Sequence, residues 1–286
     1  MASIREVAKL AHVAPSTVSR ALNGSGYVSE KSKNKIKKAV EELDYIPNQW
    51  IRNLYKKRTG IIGVMTPDII HPYFSTLWNY LEAELDQYGY NVVICNNLFD
   101  GLIVGSAFLS DEYYMNIEKP IISLDRIIPG IPLVTSDHHQ GGILAGELFL
   151  EKGCKKVMCF SDPTRMELAS ADSARALIDV MEKHNREVII ESFQWEEVIN
   201  YQLCMKRTRT LLDQYPDVDG IMALDLCAAA FLKTEKNKKI LAYDGTYVTD
   251  FNYHSIDSIV QDAKKVAKES VNMLIKLIND QPLKKR

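Results

Sequence analysis

A chain of 286 residues is too long for one small domain, and its length points to about two. With 46% hydrophobic and 25% charged residues the composition is ordinary for globular protein and excludes disordered and collagen-like classes. The formal charge of −2 hides a division: residues 1–59 carry twelve Lys and Arg against five Asp and Glu, a surplus of +7, which leaves −9 on the remainder. Such asymmetry points to a polyanion partner for the first part and to a body that does not itself bind nucleic acid. On charge alone, a solvated helix face stays open.

The pattern begins with a short helix, because Ile4, Val7, Ala8 and Ala11 recur on one helical face. Ser3 with Glu6 three residues on is the S-x-x-E capping box. Pro15 suits the first residue of a second helix ending near Leu22, with Val18 and Leu22 facing inward. Asn23 to Gly26 reads as a loop. Ser29 caps a third helix whose Ile36, Ala39, Val40 and Leu43 face inward while lysines crowd its start and outer faces. Three short helices with a tight first turn follow the helix-turn-helix plan, so residues 1–46 are expected to form an all-α DNA-binding domain.

In that geometry the start of the second helix enters the major groove and brings Pro15, Ser16 and Arg20 near base edges. Arginine is the side chain whose fork reads guanine O6 and N7 together. Thr17, Ser19 and Asn23 offer hydroxyl and amide groups suited to phosphates. Ser29 joins this contact set. A purely structural three-helix bundle is the bland alternative, disfavoured by the polar second helix and the surplus of positive charge.

From residue 61 onward β-rich runs alternate with helical ones. Residues 61–65, 91–95, 102–104, 120–124, 156–160, 220–223 and 239–242 read as buried strands, and residues 73–88, 141–152, 171–184 and 198–215 as amphipathic helices. This alternation predicts parallel α/β sheets, which bind ligands beyond the carboxyl ends of their strands. The phosphate-binding loop, the dinucleotide fingerprint and the nucleophile elbow are all missing from the sequence, so neither enzyme activity nor a cofactor is expected. Adjacent His138 and His139 point apart on any regular element, and no metal site is expected. The five cysteines, Cys95, Cys154, Cys159, Cys204 and Cys227, form no C-x-x-C pair and read as small buried hydrophobes in a reducing cytosol. The opening MASIREVAKLAHV lacks the apolar stretch of a secretory signal, and no apolar run approaches the roughly 18 residues of a membrane span. A cytoplasmic protein with no membrane partner is the expectation.

The run IREVAKLAHVAPSTVSRALNGSGYVSEKSKNKIKKAVEELDYIPNQWIRNL, with T-V-S-R at Thr17 to Arg20 and Y-x-P-N at Tyr45 to Asn48, closely resembles the headpiece of the lactose repressor family of bacterial transcriptional regulators. Two departures stand out. His12 replaces the family's usual Gly at the first turn, and His is among the residues tolerated in a left-handed conformation. Ala14 replaces the usual capping Ser, a loss of about 0.5–2 kcal/mol. The resemblance implies a hinge helix over residues 47–58, capped by Asn48, two copies of which meet in the minor groove where Leu54 wedges between base pairs.

IIGVMTPDIIHPYF, IPLVTSDHHQGGILAGELFLEKGCKKV, DGIMALDLCAAAF, ILAYDG and SIVQD follow in the family's order. They imply a two-lobed core like that of periplasmic sugar-binding proteins over residues 59–286. Lobe one is expected over about 59–160 plus 261–280, and lobe two over about 161–260. The candidates this places at the interlobe ligand site are Asp68, Tyr73, Phe74, Asp125, Arg126, Arg175, Asp225, Asp244 and Gln261. Leu224 stands where the family usually has Asn, and Ile178-Asp179 where a Gly-Phe should follow the clamping Arg. A long family helix between NVVICN and DGLIVGS is reduced to Asn97-Leu98-Phe99. Parallel neighbours need a crossover of a dozen or more residues, so strands at Val92 and Leu102 cannot pair with each other. Either residues are missing there or that edge of the lobe is rebuilt.

The function implied is a homodimeric repressor on a palindromic DNA operator, acting at the nucleoid and responding to a sugar or sugar phosphate. The alternatives are a corepressor-dependent regulator, with a purine-type ligand or a protein partner, and a sugar-binding protein without regulatory role.

Overall fold

The computed structural model describes residues 3–23, 26–43, 45, 58–94, 99–105, 109–161, 168–235, 237–250 and 256–283. It divides into two compact units, Met1–Gly60 and Ile61–Arg286.

The first unit contains α1 (Ile4–Leu10), α2 (Pro15–Asn23) and α3 (Glu30–Glu42). Ser3 accepts the Glu6 backbone N–H while the Glu6 carboxylate accepts that of Ser3 at 2.7 Å, so the capping box closes. His12 sits at φ 53°, the left-handed position that ends α1 and turns the chain into α2. Val7, Ala8, Ala11, Val18, Ile36 and Ala39 are buried together as the core of this unit. Most of the expected hinge, including Asn48 and Leu54, lies outside the described residues.

The second unit has two five-stranded parallel sheets among its described residues. Lobe one contains β1 (Ile61–Met65), α4 (Pro72–Gln87), β2 (Asn91–Ile94), β3 (Gly101–Val104), α5 (Asp111–Met115), β4 (Ile121–Leu124) and β5 (Leu133–Val134), in spatial order β2-β1-β3-β4-β5. Lobe two contains α6 (His138–Glu151), β6 (Lys156–Cys159), α7 (Ala171–Lys183), β7 (Glu187–Ile190), α8 (Trp195–Ile199), α9 (Tyr201–Gln214), β8 (Gly220–Leu224), α10 (Asp225–Thr234), β9 (Lys239–Asp244), α11 (Tyr247–Asp250) and β10 (Asp257–Val260). Its order is β10-β9-β8-β6-β7. The chain then returns to lobe one as α12 (Ala263–Ile278).

Because helices cover both faces of a parallel sheet, central strands are apolar throughout, and all four residues of β3 and of β4 are buried. Leu77, Leu81 and Leu85, at helical spacing on α4, meet Val266, Ala267, Val271 and Leu274 of α12 in one core. Each such leucine contributes about 1.5–3 kcal/mol by burial. In lobe two α6 lies hard against α7. A Cβ on Gly142 would stand 2.2 Å from the Ser173 carbonyl oxygen, and one on Gly146 would stand 2.7 Å from Val180.

Two expectations are revised. Lobe one stops at β5, not near residue 160, because Ala145 and Phe149 of α6 share a core with Val157 of β6 and Leu241 of β9. The expected helix over 198–215 is two helices, since Asn200 ends α8 and its side chain accepts the Gln202 and Leu203 N–H groups that begin α9. As expected, strands β2 and β3 do not pair with each other; they flank β1, each parallel to it. The chain enters β3 across the face of β1: Phe99 is buried, its ring would lie 3.4 Å from a Cβ on Gly63, and the Asp100 N–H donates to Ile61 O at 2.8 Å. A Cβ on Gly63 would be tight only against Leu102 Cδ1, at 3.0 Å, with the Phe99 ring in ordinary contact.

Cys154, Cys159, Cys204 and Cys227 are buried and unbridged, while Cys95 is outside the described residues. Among the described residues no helix is long and apolar enough to cross a membrane.

Candidate functional site

On α2, Val18 points into the core of its unit while Pro15, Ser16 and Arg20 are exposed, with Thr17 and Ser19 half-buried. The helix therefore presents one polar face beginning at its N-terminal end. Asn23 is its last residue. Ser29 caps α3 by accepting the Ser32 N–H. Lys31, Lys35, Lys37 and Lys38 are exposed on α3, and Lys33 pairs with Glu30 at 2.7 Å. A polar, partly basic recognition face over a small apolar core is suited to a polyanion.

Between the lobes of the second unit is a cavity of about 620 Å³. Tyr73, Phe74, Asp125, Arg126, Asp244 and Gln261, all expected at the ligand site, line it. Two chain crossings hold its floor together. Gln261, at the second, accepts the Ser136 hydroxyl from the first at 2.9 Å and donates to Asp244 Oδ1 at 2.7 Å. Asp125, left-handed at φ 61°, ends β4 and accepts from Thr135 at 2.5 Å. It also bonds His138 Nε2 of lobe two at 2.6 Å, and His138 Nδ1 meets the Tyr243 hydroxyl at 2.9 Å. Desolvation pushes the Asp125 carboxyl up, but the bonds from His138 and Thr135 outweigh it and hold the group below its ordinary pKa. This Asp-His-Tyr chain joins the lobes on one side of the cleft. On the other, the Trp195 indole donates across it to Asp68 Oδ2 at 2.5 Å.

Arg126 lines the cavity, yet its guanidinium donates to Leu109 O at 2.8 Å and Asp111 Oδ1 at 2.6 Å, so it anchors the start of α5. Three expected ligand residues do not line the cavity. Asp68 accepts the Ile70 and His71 N–H groups at 2.7 Å as well as Trp195, which makes it a brace for the loop after β1. Asp225 is fully buried and accepts from Gly245 N, Thr246 N and Thr246 Oγ1, fixing the turn that follows Asp244. Arg175 reaches back one turn to Asp172 at 3.2 Å. Local spacing puts Asp68 and Asp225 just after strands; only the folded loops show that their oxygens are already bonded.

Sequence reasoning missed Trp195, Phe160 and His71 in the cavity wall. Trp195, flanked by Gln194, Glu196 and Glu197, was a usable signal for the first. His71, before Pro72, is the N-cap residue of α4 and makes no side-chain capping bond. It is 2% exposed and packs against the rings of Trp195, 5.3 Å away, and Phe74, 5.8 Å away, which also touch each other. Burial lowers its pKa from 6.5 to about 4. Burial, with Asp225 nearby, raises Asp244 well above the carboxylate range.

A basic three-helix unit joined in one chain to a two-lobed sensor core with a cavity at the strand ends defines a DNA-binding regulator. The chain belongs to the lacI family of bacterial regulatory proteins, whose family model matches residues 3–48. The ribose operon repressor of Halalkalibacterium halodurans is 32% identical over 310 aligned positions, covering 99% of this chain and 92% of that protein. The sucrose operon repressor of Streptococcus mutans is 32% identical, covering 98% of this chain and 94% of that protein. The 310 positions of the first alignment exceed the 286 residues of this chain, so that relative carries residues absent here, in keeping with the short link between β2 and β3. The same fold is seen in the Lac repressor dimer bound to operator and the anti-inducer ONPF, with a TM-score of 0.77 at 23% identity over 99% of this chain and 94% of that one.

Proposed function

We propose that this regulator is a repressor that binds a palindromic operator as a homodimer and that a sugar in the interlobe cavity sets its affinity for DNA. The observation that carries the reading is the cavity itself. Aromatic faces from Tyr73, Phe74 and Trp195 stand beside the polar atoms of Asp244 and Gln261 on a floor made by both chain crossings. Apolar ring faces of a sugar suit the aromatics, and its hydroxyls suit the polar end. Two curated relatives are repressors of sugar operons, which supports the same ligand class.

Coupling needs only that the sugar prefer one lobe arrangement. A 100-fold preference shifts that equilibrium by about 2.7 kcal/mol. The dimer acts at the nucleoid, in the cytoplasm, where operator DNA lies. The corepressor alternative differs in sign alone, with ligand tightening DNA binding instead of releasing it.

The test combines operator selection from random DNA with affinity measured with and without ribose, sucrose and their phosphates. A palindromic consensus and an affinity changed at least tenfold by one sugar are expected. Asp244→Ala should retain operator binding and lose the sugar response. A chain with no sequence preference, or a response untouched by Asp244→Ala, overturns the reading.

A further inference from the structure

Among the described cysteines, all of them buried and unbridged, two stand together. Cys204 of α9 and Cys227 of α10 bring their sulfurs within 3.8 Å of each other in the core of lobe two. Cys154 and Cys159 stand apart from them, and burial pushes their thiols up to about 11 and about 12. Cys204 behaves differently. The neighbouring Cys227 holds its thiol below the ordinary cysteine value against the opposing effect of burial, and the Thr208 hydroxyl adds to this. Cys227 itself is pushed well up, by Cys204 and by burial. Thr208 lies one turn further along α9 and is 0% exposed, and its hydroxyl makes no hydrogen bond to the neutral thiol or to any other described residue. A buried donor left unmade is costly. One turn from Cys204, this donor suits a sulfur that carries a charge or an oxygen.

We propose that Cys204 and Cys227 form a peroxide-reactive dithiol, in which Cys204 is oxidised first and Cys227 resolves it to a disulfide joining α9 to α10. The Cys204 thiolate attacks one oxygen of hydrogen peroxide and the O–O bond breaks. The leaving hydroxide takes up the proton that Cys204 released, which gives water and a Cys204 sulfenic acid. The Cys227 sulfur then attacks the Cys204 sulfur, the S–O bond breaks, and a second water leaves with the Cys227 proton. Two thiols and one peroxide become one disulfide and two waters, and the two electrons lost by the sulfurs reduce the peroxide oxygens.

The arrangement fits these steps. Redox-sensing cysteines combine thiolate character with a resolving thiol close by, and here the resolving sulfur already touches the first. Cys204 is 3% exposed, so a reagent little larger than water suits the site and bulky disulfide oxidants do not. A bond of about 2.05 Å draws the sulfurs roughly 1.7 Å closer than they stand at 3.8 Å. That movement bears on the cavity. Cys227 lies two residues after Asp225, whose carboxylate accepts the Gly245 N–H at 3.3 Å and the Thr246 N–H at 2.6 Å. A pull on the first turn of α10 therefore reaches the turn that follows Asp244 in the cavity wall.

The test treats the reduced full-length chain with hydrogen peroxide, with free cysteine in the same solution as a control, and reads intact mass and non-reduced peptide maps. The protein should lose two hydrogens and yield a linked Cys204–Cys227 peptide, and dithiothreitol should reverse both. In Cys227→Ala, dimedone should label Cys204 as a sulfenic acid, and in Cys204→Ala Cys227 should stay unlabelled. Thr208→Val, of nearly the same shape, should slow the oxidation of Cys204 at least fivefold. Hydrogen exchange at the Gly245 and Thr246 amides should be at least tenfold faster in the oxidised parent than in the reduced one. Both thiols still free once the control cysteine is oxidised, or either one linked to a different cysteine, overturns the proposal. Dimedone labelling of Cys227 in Cys204→Ala overturns the order of the steps. An unchanged rate in Thr208→Val overturns the part given to its hydroxyl, and unchanged exchange overturns the link to the cavity. The peptide map of the parent needs no substitution, so a variant that fails to fold leaves the decisive reading intact.

Discussion

At the scale of single residues, exposure and orphaned atoms separate chemistry from scaffolding. Arg20 is exposed on the polar face of α2, while the neighbouring Val18 is fully buried. Arg20→Ala should weaken operator binding by about 1–3 kcal/mol and relax preference at one symmetric base pair per half-site. Uniform weakening across all sequences would make Arg20 a phosphate contact instead. His71 gives the core a pH signature. Its folded pKa of about 4 lies below the ordinary 6.5, so the unfolded chain binds the proton more readily. The stability that its neutral form contributes is complete above pH 6.5 and is lost as pH falls from 6.5 toward 4, on the order of 3 kcal/mol in all. Asp244, shifted upward, acts with the opposite sign and persists in both proteins of a comparison with His71→Phe. Denaturant midpoints at pH 7 and pH 4.5 should show the parent losing more than His71→Phe. Parallel losses would mean that His71 does not titrate in this way.

At the scale of elements, helix ends decide much of the local structure. Ser3, Ser29, Asp137 and Asp262 each accept a backbone N–H at the start of a helix. The start of α2 differs. Ala14 precedes Pro15, and its carbonyl accepts the Thr17 and Val18 N–H groups, but its methyl offers no oxygen to the first turn. Ala14→Ser should stabilise the three-helix unit by about 1 kcal/mol, read as roughly fivefold slower hydrogen exchange of α2 amides. Unchanged exchange would show that Pro15, with no N–H of its own, already removes most of the need for a cap. The close packing of α6 on α7 has a sequence counterpart in Gly142 and Gly146, one turn apart, but which helix they meet is invisible along the chain.

At the scale of the molecule, charge is divided as function divides it. The surplus of +7 lies in residues 1–59 and the deficit of −9 in the remainder. Operator affinity should therefore fall by roughly 10³–10⁵ between 50 and 200 mM salt, for about 6–10 phosphates neutralised. A shallow salt slope would show that the lysines of α3 stay off the backbone. The lobes meet through Asp125–His138, Trp195–Asp68 and the backbone contacts of Asp125 and Arg126 with Ala169 and Leu168, while Gln261–Ser136 joins the two crossings, and a ligand held between the lobes can shift the balance of these bonds.

What the sequence determined by itself is local or periodic. The Ser3–Glu6 box, the left-handed turn at His12, the helix start at Pro15 and the strand-helix alternation of the core all depend on residues within a few positions of one another. The expected strand over 239–242 stopped two residues short of Asp244, which is the last residue of β9. The tertiary structure alone decided that β6 joins the second sheet, since a buried parallel strand carries the same apolar run in either lobe. It alone separated Asp244 from Asp68 and Asp225. All three are carboxylates beside strand ends, but Asp68 and Asp225 spend both oxygens on nearby loops and on Trp195, while Asp244 keeps one oxygen facing His71. The physical reason is distance along the chain. Trp195 and Asp68 are 127 residues apart, so no spacing rule reaches from one wall of the cavity to the other.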